Sequence, residues 1–74
     1  MRGEFKMEEF NIIGSSVLSR AVYDEKLRIL TITFKNGKSY SYYNLPQEIW
    51  QAFKEADSKG RFFISNIKGK YIEG

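Results

Sequence analysis

The 74-residue chain contains no cysteine and no histidine. Without cysteine no disulfide can form, and zinc-finger and iron–sulfur sites are excluded. The same two absences remove the thiol nucleophile, the imidazole general base and the Ser-His-Asp arrangement. A single proline and six glycines rule out a Pro/Gly-rich low-complexity segment. No apolar run approaches the roughly 20 residues needed to span a bilayer. The N-terminus has no signal-peptide-like apolar segment. A small chain without disulfides fits a cytoplasmic setting better than a secreted one. Nothing in the residues calls for a metal or an organic cofactor, and none is expected.

What is present is apolar and aromatic: 42% hydrophobic and 16% aromatic residues, at a net charge of +3. That composition excludes a disordered chain and fits one small domain. Most side chains of so short a domain must enter the core, leaving little wall for a pocket. Only nine Asp and Glu exist. Glu48, Glu55 and Asp57 scatter along one predicted helix and its end, so no carboxylate pair is specified for acid/base work. The expectation is a binding module and not an enzyme.

Residues 1–14 form a mixed lead, with Arg2, Glu4, Lys6, Glu8 and Glu9 between Phe5, Met7 and Phe10. It reads as a frayed arm, a short helix or an extra edge strand, and Met7 could be an internal start. From residue 15 to 72 the pattern is that of one domain. Val17–Tyr23 is β-rich and Asp24-Glu25-Lys26 is a turn cluster. Leu27–Phe34 alternates, with Leu30, Ile32 and Phe34 set against Thr31 and Thr33. Lys35-Asn36-Gly37 is a hairpin turn, and Lys38–Tyr43 a further strand.

The period then becomes helical. Asn44 is placed to cap, with Gln47 in capping-box spacing and Pro46 in the first turn. Leu45, Ile49, Ala52, Phe53 and Ala56 line one face. A second short helix should carry Gly60, Phe63, Ile64, Ile67 and Tyr71 on one face and stop at Gly69. The expected fold class is therefore α+β: a three- to four-stranded antiparallel meander with two C-terminal helices packed on one face.

The hairpin register decides what the tyrosines do. A two-residue Asn36-Gly37 turn would pair Thr33 with Tyr40 and put both tyrosines on the solvent face. A three-residue loop, with Gly37 left-handed, pairs Ile32 with Tyr40 and Leu30 with Tyr42 and turns both inward. The first register buries Ser39 and Ser41 beside Ile32 and Phe34. Tyrosine burial is worth roughly 2 kcal/mol each, so the second is expected and Tyr40 and Tyr42 read as structural.

In order along the chain stand Ser15-Ser16, Tyr23-Asp24, Leu30-x-Ile32-x-Phe34, Gly37, Tyr40-x-Tyr42 and Leu45-Pro46. Then come Ala56-x-Ser58-x-Gly60, Phe62-Phe63, Ile67-Lys68 and Tyr71. In this ordered spacing, over about residues 15–71, the sequence resembles the KTSC domain family. That family is named for its occurrence at the C-terminus of some lysyl-tRNA synthetases, and it also occurs as single-domain proteins. Three positions depart from the family's pattern: Val22 stands where Gly is common, Ile64 where Asn is common, and Lys68 where Arg is common. The last two alter polar contacts that the resemblance implies on the second helix. The resemblance implies an RNA association through the synthetase context, not an established activity.

Charge is uneven. From Ser58 to Ile72 there are four bases, Lys59, Arg61, Lys68 and Lys70, and no acid. Residues 1–57 are neutral overall. Arg61 and Lys68, seven apart, should share one helical stripe, with Phe62, Trp50 and Tyr71 as neighbouring aromatic surface. Cations beside rings suit single-stranded nucleic acid, whose phosphates pair with Lys and Arg while bases stack. The expected partner is RNA or another nucleic acid, bound by Lys59, Arg61, Lys68 and Lys70 with Phe62, Trp50 or Tyr71. The plain alternative is an ordinary solvated helix face.

Ser58-x-Gly60 reads either as an anion site at a helix start or as a Ser cap with Gly60 allowing close helix approach. Arg20, Arg28, Lys26 and Lys38 read as edge charges that deter strand aggregation. Gly37-Lys38-Ser39 is not a phosphate-binding loop, because the first glycine of that motif would fall on Ile32. The second reading of the whole chain is a protein-interaction adaptor or small phage or bacterial regulator, monomeric or weakly dimeric, using Trp50, Phe5 and Phe10 or an open sheet edge.

Overall fold

The computed structural model describes residues 7–74. Five strands form one antiparallel meander in the order β1-β2-β3-β4-β5: β1 Met7–Asn11, β2 Leu18–Asp24, β3 Ile29–Phe34, β4 Ser39–Tyr43 and β5 Ile72–Glu73. Helices α1, Gln47–Glu55, and α2, Lys59–Asn66, lie between β4 and β5. The α+β architecture matches the sequence pattern, and Met7–Asn11 takes the edge-strand option. The part of the N-terminal lead before Met7, including Phe5, lies outside the described residues. The fifth strand was not foreseen: two residues carry no period. Gly74 and Ser41 exchange backbone hydrogen bonds of 2.8 and 3.0 Å, and Tyr42 faces Glu73 across the sheet.

The hairpin between β3 and β4 takes the three-residue form. Gly37 has φ +91°, and the pairs Ile32 with Tyr40 and Leu30 with Tyr42 form as expected. Thr31 and Thr33 meet Ser41 and Ser39 on the outer face through hydroxyl contacts of 2.9 Å. Tyr42 is buried, whereas Tyr40 keeps 38% of its surface because it sits at the rim of the core face. In β2 the pairing shifts between Leu18 and Arg20. Strict alternation would place Leu18 and Ala21 on opposite faces, and the extra residue of this bulge lets both reach the core.

The turn into β3 is organised by Asp24. Its carboxylate accepts from the backbone N–H groups of Lys26 and Leu27 at 3.0 Å, and Arg28 closes the turn with φ +59°. The Tyr23-Asp24 pair thus does two jobs, since the Tyr23 hydroxyl donates to the Leu45 carbonyl at 2.7 Å.

Helix α1 does not begin as its sequence suggests. Asn44 is left-handed, φ +59°, and makes the turn out of β4. Pro46 occupies the capping position, with no side-chain cap. Proline disfavours helical backbone at the residue before it, so Leu45 stays outside the helix and Asn44 cannot cap the first turn. Helix α2 is shorter than expected. It ends at Asn66, and Gly69, φ +80°, lies in the turn that follows. Phe63 and Ile67 supply its core-facing side. Ile64, rotated about 100° from Phe63 around the axis, points out and is 64% exposed.

Candidate nucleic-acid interface

Two aromatic groups fill the core. In one, Trp50 stacks between Tyr23 and Phe53, at ring-centroid distances of 5.3 and 5.8 Å, with Phe10 edge-on at 6.3 Å. In the other, Phe63 meets Phe34 and Tyr42 edge-on at 5.6 and 5.5 Å. Trp50 is only 1% exposed, and its indole N–H donates to Glu8 at 3.0 Å. Its expected role as a base-stacking surface is therefore corrected. A ring sandwiched between two others has no free face, and β1 supplies the carboxylate that satisfies its one polar atom. Lys54 also binds Glu8, at 2.6 Å, and lies over the same indole.

The four C-terminal cations do not form one strip. The Lys59 ammonium donates to the Ala56 carbonyl at 2.9 Å and lies 5.6 Å from the Phe10 ring centre, so it is committed to the fold. Lys68 lies beyond the end of α2, not on its stripe. Even so, Arg61 and Lys68 line the same cleft, of about 650 Å³, between the Ile12–Leu18 segment and α2. Both are exposed, as is Lys70 in the following turn.

Across the cleft stand Ser15 and Ser16. The Ser15 hydroxyl accepts from the N–H groups of Val17 and Leu18, at 3.2 and 3.0 Å, and holds that wall in shape. Phe34 and Phe63 contribute apolar surface and Ser65 a hydroxyl. Asp57 and Lys59 line the same cleft, so three cations, with Lys59 held by the Ala56 carbonyl, are set against one acid.

The remaining sequence candidates divide. Phe62 is half-buried against Phe53 and leaves part of its ring beside Arg61 in a shallower hollow. Tyr71 is half-buried against the core. Tyr42 is buried in the core, and Pro46 stands at the start of α1. Ser58 caps α2, accepting from the Arg61 N–H at 3.3 Å. Gly60 is not spaced for helix contact. A methyl added there would meet the Ser15 hydroxyl at 3.6 Å, so its neighbour is the far wall of the cleft.

Three side chains of the cleft were missed. Ile13, Val17 and Ile64 are 91%, 51% and 64% exposed, and all three line it. Ile64 was masked by its apparent core spacing, and Ile13 by its place in the irregular lead.

Burial raises the Tyr23 phenol above its ordinary value. Burial, and then the hydrogen bond its hydroxyl donates to Glu73 at 2.7 Å, raise Tyr42 well above the usual range. Both phenols are neutral structural groups, and neither is an acid or base for chemistry near neutrality.

Part of the spaced pattern quoted above shares a location: Ser15-Ser16, Phe34, Ser58, Gly60, Phe63 and Lys68 line the cleft, whereas Tyr23-Asp24, Tyr40, Tyr42 and Leu45-Pro46 lie elsewhere in the fold. The model of the KTSC domain matches residues 14–71. The chain belongs to the KTSC domain family. A KTSC domain protein from Yersinia pestis has the same fold, with a TM-score of 0.86 at 36% identity, covering 93% of this chain and 96% of that one. An uncharacterized protein of Stutzerimonas stutzeri is 45% identical over 59 residues, 80% of this chain and 83% of that protein. A lysine–tRNA ligase of Nostoc punctiforme is 38% identical over 56 residues. The chain spans about a tenth of that ligase's length, although the match takes in 76% of the chain.

Proposed function

We propose that this KTSC domain is a small non-catalytic module that binds RNA through the cleft beside α2. The observation that carries the reading is that Arg61 and Lys68 open on one cleft whose facing wall bears Ser15 and Ser16. Guanidinium, ammonium and hydroxyl groups are phosphate-binding chemistry. The similarity to a stretch of a lysine–tRNA ligase supports RNA over other polyanions. Arg61, Lys68 and the exposed Lys70 contact phosphate, with the open edge of Phe62 and Tyr71 nearby. Lys59 and Trp50 do not take part.

Three phosphate contacts on a single strand give a log–log salt slope of about −2. The test is a titration followed by backbone amide shifts, against short single-stranded RNA, duplex DNA and a neutral control. Shifts at residues 13–17 and 61–68 with RNA are expected. Shifts elsewhere, or none, refute the reading. Exposed Ile13, Val17 and Ile64 favour a second reading, a protein partner that buries them. Such a complex would depend little on salt.

A further inference from the structure

Isolated aliphatic side chains on a surface are ordinary, but grouped ones mark a contact site. Ile13, Val17 and Ile64 are grouped: all three are more than half exposed and line the cleft that Arg61 and Lys68 flank. Along one wall the order is cation, aliphatic, cation. Ile64 follows Arg61 by three residues, a spacing that shares a helix face, and Lys68, past the helix end, lines the same cleft. The facing wall sets Ile13 and Val17 around the two serines.

A bare polyanion has nothing to place against the aliphatic groups. A duplex stacks its bases inside and offers phosphate and sugar outward. Among nucleic acids, an unpaired strand offers charged phosphates and apolar base faces at one site, and a duplex does not. The volume, about 650 Å³, falls within the roughly 300–1,000 Å³ typical of small-ligand sites, so it has room for a nucleotide.

Building on the RNA reading above, we infer that the cleft takes one unpaired nucleotide of a single strand. Its base lies against Ile13, Val17 and Ile64, and the flanking phosphates meet Arg61 and Lys68. The domain therefore discriminates against duplex, and the aliphatic rim carries that discrimination while the cations carry the salt dependence.

The experiment is fluorescence anisotropy of a labelled eight-nucleotide single-stranded RNA, the matching duplex, and polyglutamate of equal charge, at several salt concentrations. The proteins are the parent chain, Ile64→Ser, Ile13→Ser and Arg61→Ala. The parent should bind single strand at least tenfold more tightly than duplex or polyglutamate. Either Ser variant should lose roughly tenfold in single-strand affinity with its salt slope unchanged. Arg61→Ala should flatten the slope by about 0.7. Both isoleucines are exposed, and their variants should keep the parent's melting temperature. Equal binding of duplex or polyglutamate, or an unchanged affinity in both Ser variants, overturns the unpaired-nucleotide inference and leaves RNA binding standing. Failure of the parent to bind any RNA overturns both, and points to a protein partner for the same aliphatic rim.

Discussion

The α1 side and the α2 side of the molecule spend the same kinds of residue differently. Around α1, aromatic rings and charges are consumed by the fold. Trp50 is enclosed by Tyr23, Phe53 and Phe10, and Glu8 holds both its N–H and Lys54. Gln47 donates to Glu25 at 3.1 Å, and Tyr23 to the Leu45 carbonyl. Around α2 the large side chains do not all go inward. Phe63 and Ile67 are buried, while Ile13, Val17 and Ile64 remain on the surface beside Arg61 and Lys68. A polar group paired inside the fold stabilises it, and an apolar group left in water contributes no burial until a partner covers it. The comparison therefore sets a side whose rings and charges are paired within the fold against one that also leaves apolar groups uncovered.

The strongest way to break that division is Trp50→Ala. Removal of a fully enclosed indole should cost about 3–5 kcal/mol, against a total of roughly 5–10 kcal/mol for a domain of this size. Chemical denaturation reads the loss directly. A cost under 1 kcal/mol would mean that the α1 side is not where stability resides.

Tyr23→Phe comes next. It leaves the buried Leu45 carbonyl without its donor, at an expected cost of about 1–3 kcal/mol. A midpoint equal to the parent's would show that water replaces the phenol.

An alkaline titration sharpens the same side. Tyr23 and Tyr42 have raised pKa values in the fold, so between their unfolded and folded values the native state holds protons that the unfolded chain has released. Their contribution is complete below the ordinary tyrosine pKa of about 10 and is lost as pH climbs above it. Urea midpoints should fall across that window, and Tyr42→Phe should fall less steeply. Superimposable profiles for parent and variant would exclude Tyr42 as a source of the decline.

On the α2 side the expected effects on stability are the smallest. Arg61→Ala with Lys68→Ala should change unfolding free energy by no more than about 0.5 kcal/mol while reducing the RNA salt slope from about −2 to about −0.7. A large loss of stability instead would place these cations among the structural groups and dissolve the contrast.

Some of this was legible in order of residues. The alternation of Leu30, Ile32 and Phe34, and the serines flanking Tyr40, sufficed for the hairpin register, because only one pairing keeps hydroxyls out of the core. The α1 face was legible in part: Leu45 and Phe53 are buried as the period predicts, but Ile49 and Ala52 are only half-buried and Trp50, which the predicted face left out, is enclosed. The cap was not, because Asn44 suits both an N-cap and a left-handed turn, and Pro46 decides between them through its neighbour's backbone. Nor was the fate of Trp50. Its N–H partner, Glu8, lies 42 residues away on a strand that the sequence left open as arm, helix or strand.

The chain's order of residues thus determined the meander, the two helices, the register that buries Tyr42 and the excess of positive charge near its C-terminal end. Each is set by near neighbours or by a repeating pattern. Tertiary structure alone decided which aromatics are enclosed, that Lys59 turns back onto the fold, and that Ile13, Val17 and Ile64 meet Arg61 and Lys68 across one cleft. The two walls of that cleft are some 45 residues apart in sequence, and no local period records which face of one wall will stand opposite the other.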